Sequence, residues 1–248
     1  MTIVVLSMWH NEETIAPFFL SHYAYADKIH LIIGGDTTDN TREICARYPN
    51  VEIDAFDMPG GLLNDALKIR KINDMASNLD CDWIMAVDAD ELLFPANGES
   101  ASAILARQSA NLLYAQMWQV YRHETEGELN PGLPAIYQRR HGDPDITTHP
   151  NSDYVKPIIV RPEVKIEWGP GCHLYRANGK IRVSADSFLG AHWQMADVNM
   201  AIDRRVQGRR KRFSEENLRM GWGGQHFTIT EDEIKAECAA HAHDPQLF

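Results

Sequence analysis

Three acidic side chains follow a strongly apolar stretch in the segment DWIMAVDADELLF, residues 82–94. Asp88 and Asp90 are separated by one residue, and Glu91 comes next. Two carboxylates in a tight turn can bind a hard divalent cation such as Mg²⁺ or Mn²⁺ and leave positions open for phosphate oxygens. Leaving them unpaired at the end of a buried strand would be costly, so a cation or hydrogen-bond donors should accompany them. The alternative is a solvated turn whose aspartates cap the backbone.

Two further polar segments could do chemistry. The segment RRVQGRRKR (204–212) holds six cations. It indicates either a solvated helix face whose charge is offset by the acidic residues of the following segment SEEN (214–217), or a binding site for phosphates. The phosphates would belong to a diphosphate or to a nucleic-acid backbone. The segment HGDPDITTHP (141–150) is interpreted as a loop near the active site, with a metal site as the alternative. Its possible ligands are His141, Asp143, Asp145 and His149.

The elements that must position the acidic turn alternate along the first hundred residues. Apolar, β-branched runs predict buried strands at 2–8, 29–35, 51–56 and 83–87. Helices are predicted at 12–25, from the turn at 36–41 through Arg47, and at 62–79. This order predicts a parallel sheet covered by helices on both faces, with ligands bound at the carboxyl ends of the strands. Asp88 and Asp90 lie at that edge.

The second half of the chain predicts shorter, partly antiparallel strands between loops rich in glycine and proline. These strands are expected at 112–123, 134–140, 157–162, 164–168 and 187–193. Two helices are expected, at 196–212 and 230–241. Together the patterns predict a single compact α/β domain with a mixed, mostly parallel central sheet flanked by helices.

Charge and hydropathy limit the partners. The chain has 248 residues and a formal net charge of -11, so its overall field repels polyanions. No apolar stretch approaches the ~20 residues that span a bilayer, and the first residues are typical of a strand and not of a signal peptide. Four scattered cysteines favour reduced thiols, with two disulfides in a secreted protein as the alternative. We therefore expect a cytoplasmic protein without a transmembrane segment.

Several motifs, in order, resemble those of family 2-like glycosyltransferases of the GT-A fold, and in particular a shorter cytosolic branch. The motifs are HNEE after the first strand, DTTDNT after the second, AVDADELLF after the fourth, and later KPIIVRP (156–162) and GAHW (190–193). The resemblance covers most of residues 1–200. It implies one continuous GT-A domain with a nucleotide-sugar-binding half at 1–110. The other half, 111–248, would bind the acceptor and carry the C-terminal helices.

The resemblance implies nucleotide contacts for four residues. Asn11 and Glu12 would lie beside the nucleotide pocket, and Asp39 would lie in the turn that faces the base or ribose. Lys156 would neutralise the diphosphate as a point charge, with an exposed lysine at a strand start as the alternative. The chain departs from the family in one place, because the acidic residue expected near Gly34 falls at Asp36.

The resemblance also implies a metal site for Mn²⁺ or Mg²⁺. Asp90 would bind the ion directly, and Asp88 would contact the ribose or reach the ion through water. His192 would be the third protein ligand, which suits Mn²⁺ better than Mg²⁺ because imidazole is a poor ligand for magnesium. The alternative for His192 is a hydrogen-bonded core histidine.

An inverting transferase also needs a carboxylate within reach of the acceptor hydroxyl. Asp153 is preferred because it lies just before the motif of Lys156, and Glu91 would support the metal turn. The other candidates are Asp143, Asp145 and Glu167.

The expected reaction is metal-dependent transfer of a sugar from a nucleotide diphosphate sugar, most readily a UDP-sugar, to an acceptor hydroxyl. A saccharide is the default acceptor, with hydroxymethylated bases in DNA as the runner-up. Trp168, Tyr175 and Trp222 could stack on a sugar or a base. A nucleotidyltransferase would show a glycine-rich loop with a basic residue after the first strand, where this chain reads MWHNEE. An inactive nucleotide-sugar-binding relative is the remaining alternative.

Overall fold

A computed structural model describes residues 1–144, 154–223 and 227–248. The strands are β1 (Ile3–Trp9), β2 (Lys28–Ile33), β3 (Val51–Ala55), β4 (Trp83–Ala86), β5 (Glu91–Pro95), β6 (Leu112–Tyr121), β7 (His141–Gly142), β8 (Val155–Val160), β9 (Ile166–Trp168), β10 (Tyr175–Ala177) and β11 (Phe188–Met195). The α-helices are α1 (Ala16–His22), α2 (Thr41–Cys45), α3 (Asp65–Asn78), α4 (Ala101–Arg107), α5 (Val198–Ile202), α6 (Glu215–Met220) and α7 (Glu231–Ala240).

One sheet runs through the molecule in the strand order β3-β2-β1-β4-β8-β6-β11-β5, and β7 pairs with β6. Its first four strands are parallel. Strand β8 is antiparallel to both of its neighbours, β6 and β11 are parallel, and β5 closes the row antiparallel to β11. Strands β9 and β10 form a separate antiparallel pair. The predicted α/β domain with a mixed central sheet is confirmed.

The core packs on both faces of the sheet, as the continuous apolar runs of β1 and β2 predict. On one face, Trp9 meets Phe19 of α1 with ring centroids 5.0 Å apart, and Phe18 meets Trp193 of β11 at 5.2 Å. Such aromatic contacts fix the relative positions of α1, β1 and β11 beyond what area burial alone provides. They also hold the strand ends that carry the acidic turn.

The predicted strands and helices of the first half are present within a few residues of their expected bounds. The strand expected at 134–140 is wrong. A single 3-10 turn, Ala135–Tyr137, lies there because the Gln138 side-chain amide donates to the carbonyls of Asn130 and Leu133, each at 3.0 Å. These bonds close a compact loop, so the backbone here does not pair with a neighbouring strand.

The helix expected at 196–212 is present but irregular. After α5 the chain continues as a π-helical turn, Asp203–Gly208, and then a 3-10 turn, Arg209–Arg212. Asp197 caps the start, since its carboxylate accepts hydrogen bonds from the backbone of Asn199 and Met200, both at 3.0 Å. Single π-helical turns are frequently found at functional sites. Among the described residues, no helix is long and apolar enough to cross a bilayer.

Candidate active site

The turn Asp88-Ala89-Asp90 joins β4 to β5 at the carboxyl end of β4, where the sequence places it. Glu91 closes the turn: its Oε2 accepts a hydrogen bond from the backbone N–H of Asp88 at 2.9 Å. Strand β11 then fixes its far side, because the Trp193 N–H donates to the carbonyl of Asp90 at 2.7 Å. In the register of β5 and β11, Glu91 lies opposite His192. Residues distant in sequence thus meet at this turn.

Each carboxylate of the turn has a cation beside it. Lys68 of α3 donates to Asp88 Oδ1 at 2.6 Å. Arg204 lies between Asp90 and Glu12, with Nη1 at 2.7 Å from Asp90 Oδ2 and Nε at 2.8 Å from Glu12 Oε2. The turn is therefore not a solvated cap, since Asp90 is only 2 % exposed.

Lys156 forms a buried ion pair with Glu91. The lysine is 7 % exposed, so the alternative of an exposed lysine at the start of a strand is wrong. Its ammonium group lies in the same cleft as Asp88, Asp90 and His192. Lys156 is therefore a buried cation of this cleft that Glu91 compensates, and its predicted contact with a diphosphate stays a prediction.

The charges of the site are set by burial and by these partners. Burial raises the pKa of Asp90, but Arg204 and then His192 outweigh it and hold the pKa well below its usual value. Burial also raises the pKa of Asp88, but nearby ammonium groups, first that of Lys68, outweigh it, so the pKa of Asp88 is lowered. Burial lowers the pKa of His192 more than Asp90 raises it. The result is two ionised aspartates beside a neutral imidazole, which is the protonation state that metal binding requires.

These residues fit a divalent cation in part. Asp90 Oδ1 is 3.9 Å from His192 Nε2, and one ion could lie between this oxygen and this nitrogen. The Asp88 carboxylate points to Lys68. The ligand atoms of Asp88, Asp90 and His192, the predicted metal ligands, therefore do not all lie within 4.8 Å of one another. Two protein ligands leave several coordination positions for phosphate oxygens and water, as is usual for ions that bind with nucleotides.

Elsewhere in the described chain, one group of possible metal ligands does meet the 4.8 Å spacing. It consists of His123, Glu124 and His243. Glu124 and His243 are exposed, and none of the three lines a cleft that contains residues of the acidic turn or the predicted nucleotide contacts. The predicted metal ligands and this surface group are thus separate.

A first cleft of about 380 Å³ opens beside the acidic turn. The predicted nucleotide residues Asn11, Glu12 and Asp39 all line it, together with the aromatic rings of Trp9 and Phe56. The cleft therefore combines a few large apolar side chains with many polar and charged ones.

Asn11 and Asp39 also tie together the two turns at the rim of this cleft. Asn11 adopts a positive φ of 51°, which asparagine tolerates better than most residues, and its Oδ1 accepts from the Thr38 N–H at 2.8 Å. Asp39 accepts from the backbone of Glu13 at 2.9 Å and from the Thr41 hydroxyl at 2.6 Å. Their predicted contacts to the base and ribose stay predictions.

The basic run does not form a solvated face. Arg204 is in the buried cluster with Asp90, and Arg212, which lines the first cleft, donates to Asp36 at 3.0 Å. Arg209 lines both clefts. The outward residues of the run are Arg210 and Lys211. Because most of its cations face inward, the run fits a grip on a bound diphosphate better than a surface for a nucleic-acid backbone.

A second cleft, of about 620 Å³, adjoins the first and shares Leu63, Lys68 and Arg209 with it. Its lining includes the acidic turn, His192 and Lys156. Of the three aromatic residues expected at an acceptor, Trp222 lines this cleft. Trp168 is buried and donates to the Pro157 carbonyl at 2.9 Å, and Tyr175 bonds to Tyr114 instead.

The second cleft contains a carboxylate that the sequence did not single out. Glu237 of α7 accepts a hydrogen bond from the Tyr121 hydroxyl at 2.8 Å, and no described lysine or arginine forms an ion pair with it. Glu91, by contrast, is committed to Lys156. Asp145 and Asp153 lie outside the described residues. Glu167 lines a different groove, next to α3.

No protein-family model matches the chain, and no curated protein is significantly similar to it in sequence. Among solved structures, it is similar to S. aureus TarS 1-349 in complex with UDP-GlcNAc, at 14% identity and a TM-score of 0.47, over 97% of this chain and 79% of that one. Mannosyl-3-phosphoglycerate synthase from Rubrobacter xylanophilus matches at 16% identity and a TM-score of 0.36, over 66% and 54%.

A third similar structure is glucosyl-3-phosphoglycerate synthase from Mycobacterium tuberculosis in complex with Mn²⁺, UDP and phosphoglyceric acid. It matches at 12% identity and a TM-score of 0.32, over 48% of this chain and 43% of that one. All three matches have TM-scores below 0.5 and identities of 16% or less.

Proposed function

We propose that the chain is a glycosyltransferase that moves a sugar from a nucleoside diphosphate sugar, with UDP as the preferred nucleotide, to the hydroxyl of a saccharide. One observation carries this proposal. The acidic turn with Asp90 and His192 lines the second cleft, which shares Leu63, Lys68 and Arg209 with the first, and the first is lined by Asn11, Glu12 and Asp39. A donor in the first cleft would bring its diphosphate to the turn and its sugar into the second.

The metal proposed for this junction is Mn²⁺, with Mg²⁺ as the weaker candidate. Asp90 Oδ1 and His192 Nε2 would hold it, and their mixture of oxygen and nitrogen favours manganese. When bound, the cation would stabilise the negative charge that develops on the leaving diphosphate. Asp88 would remain with Lys68 and contact the ribose or a water on the ion.

The basic residues of the junction would do the remaining electrostatic work. Lys68 and Arg209 line both clefts, and both would therefore be near phosphates that pass from one cleft to the other. Lys156, held by Glu91, adds a fixed positive charge on the acceptor side. Charges that are already positioned need no reorganisation when the leaving group forms.

Two carboxylates are proposed as the base that takes the proton from the acceptor hydroxyl. Asp153 is the proposal from the sequence. Glu237 is the one that the second cleft adds, because the Tyr121 hydroxyl fixes one of its oxygens and no described lysine or arginine forms a close ion pair with it. Glu91 is proposed to support the turn, since its two oxygens bind the Asp88 N–H and Lys156.

The testing experiment is a thermal-shift panel of nucleotide sugars with Mn²⁺, with Mg²⁺ and with chelator. It compares wild type, Asp90→Asn, and Asp232→Asn as an exposed control on α7. We expect UDP-sugars with Mn²⁺ to raise the melting temperature of wild type and of the control, but not of Asp90→Asn. If no nucleotide stabilises the folded wild type under any metal condition, the proposed function is wrong.

The same panel separates the alternatives. A rise with a nucleoside triphosphate and not with any nucleotide sugar would favour a nucleotidyltransferase. Binding of a nucleotide sugar without hydrolysis or transfer would favour an inactive relative. Transfer to hydroxymethylated DNA that falls steeply with added salt would favour a DNA acceptor.

A further inference from the structure

Arg205 is a buried cation in the wall of the second cleft. The residue is 6 % exposed and belongs to the π-helical turn Asp203–Gly208. Arginine is almost never buried to this degree unless it is paired with an anion. Its neighbour Arg204 follows that rule, with Asp90 and Glu12 as partners.

No described carboxylate forms an ion pair with Arg205. Its Nη1 donates to the thioether sulfur of Met195 at 3.0 Å, which is a weak acceptor, and its buried Nε–H has no hydrogen-bond partner among the described residues. Burial lowers the pKa of Arg205, and Glu237 only partly opposes this. A buried donor without a partner is rare and calls for an explanation such as an absent ion or ligand.

The groups around Arg205 show which kind of ligand would satisfy it. Glu237, Tyr121 and Tyr154 are close enough to influence it electrostatically, and all three line the second cleft with it. The guanidinium plane matches carboxylate and phosphate oxygens, to which it can donate two parallel hydrogen bonds. Neutral sugar hydroxyls would offer the free Nε–H only a single uncharged acceptor and not the charged pair of oxygens that a guanidinium binds best.

Arg205 lies in a different cleft from the one proposed for the nucleotide of the donor. Arg205 lines the second cleft and not the first, whereas Arg204 lines the first and not the second. Two consecutive residues of one helical turn therefore serve different clefts. The proposed function places the acceptor in the second cleft beside the sugar of the donor, and an anion bound by Arg205 would belong to that acceptor.

Resting on the proposed function, we propose that the acceptor carries an anionic group, a phosphate or a carboxylate, and that Arg205 binds it. The acceptor class is then a phosphorylated sugar or a sugar acid in place of a neutral saccharide. Arg205 would fix the orientation of the acceptor, and the hydroxyl to be glycosylated would face the acidic turn from the same cleft.

The experiment is a titration of the whole protein with inorganic phosphate, with glucose 6-phosphate, with glucuronate and with glucose, followed through the arginine Nε–H signals by NMR. The Nε–H signal of Arg205 is assigned as the one that disappears in Arg205→Lys. Phosphate or glucuronate should shift this signal, and glucose should not. In Arg205→Gln the affinity for these anions should fall by about tenfold or more. Arg210→Gln, an exposed arginine of the same run, is the matched control and should bind like wild type.

Saturating UDP with Mn²⁺ distinguishes the two clefts. If Arg205 serves the acceptor, anion binding persists when the nucleotide is present. Displacement of the anion by UDP would assign Arg205 to the donor and overturn the inference. Equal anion affinity in Arg205→Gln and wild type, or no anion binding at tens of millimolar, would overturn it too.

The two proposals can fail separately. Nucleotide-sugar binding without anion binding leaves the proposed function intact and refutes the anionic acceptor. Anion binding at Arg205 without any nucleotide binding does the reverse. If Arg205→Gln does not fold, Arg205→Lys keeps the charge but loses the planar fork, and a weaker loss of affinity is then the supporting result.

Discussion

Arg204 and Asp90 form a buried ion pair, with Nη1 at 2.7 Å from Oδ2 and both side chains less than a tenth exposed. The same guanidinium bonds to Glu12, which follows β1. One residue thus joins the end of the first strand, the acidic turn and the basic run. A pair of this kind stabilises mainly by keeping buried charges compensated, and removal of one partner is therefore costly.

Arg204→Lys should lower the free energy of unfolding by about 2–4 kcal/mol, because lysine keeps the charge but cannot bond to Glu12 and Asp90 together. Urea denaturation measures this. Arg210→Lys, the same change at an exposed position of the run, should cost less than about 0.5 kcal/mol. Similar losses in both variants would contradict a special role for Arg204.

Glu91 and Lys156 should be strongly coupled, because both are nearly fully buried. Glu91→Gln and Lys156→Met should each destabilise by about 3–5 kcal/mol, and the double variant should be far less destabilised than their sum. The pair Lys28 and Glu52, at 2.8 Å but on the surface, is the control. Its coupling should stay below about 1 kcal/mol. Additive losses at the buried pair would rule out the coupling.

His22 should make stability depend on pH below neutrality. Burial lowers the pKa of His22 to about 4, although its bond to the Leu93 carbonyl raises it. The folded pKa lies below the unfolded value of ~6.5, so the unfolded state takes up the proton first as pH falls. This contribution is present above pH ~6.5 and is lost between there and pH 4.

The measurement is urea denaturation of wild type and His22→Gln at several pH values. Wild type should lose about 2–3 kcal/mol more than the variant between pH 7 and pH 4.5. Glutamine can still donate to the Leu93 carbonyl but does not titrate. Parallel pH profiles for the two proteins would show that His22 is protonated as readily in the folded state.

The two proposed bases predict different kinetics. If Glu237 takes the proton, Glu237→Gln should lower kcat by about 10²–10⁴-fold while the affinity for the donor is unchanged. Asp153→Asn should then leave kcat within a few fold. The reverse pattern would support Asp153. Because glutamine still accepts the Tyr121 hydroxyl bond, a loss of kcat in Glu237→Gln with unchanged stability would not come from misfolding.

The parallel half of the sheet and the acidic turn could be predicted because they depend on local patterns. The apolar runs of β1, β2 and β4 identify strands, and the turn after β4 follows from where the last run ends. Strand β5 was not expected, because it begins with a charged residue, Glu91. That residue is buried only because Lys156 reaches it across 65 positions.

The partners of the acidic residues could not be read from the sequence for the same physical reason. Lys68 is 20 residues from Asp88, and Arg204 is 114 residues from Asp90. No local rule selects these cations among the 24 lysines and arginines of the chain. In the sequence, Glu237 is one of several acidic residues on an amphipathic helix. Only the position of α7 beside the second cleft distinguishes it from the others.

The π-helical turn at Asp203–Gly208 has a consequence for how this protein can change over evolution. Neighbouring residues of a helix point in different directions, and here Arg204 lines the first cleft and Arg205 the second. A substitution at either arginine alters the lining of a single cleft. A one-residue deletion before Arg204 would rotate both residues at once and turn each away from the cleft that it lines. The length of this short segment should therefore be preserved more strictly among descendants than most of the letters within it.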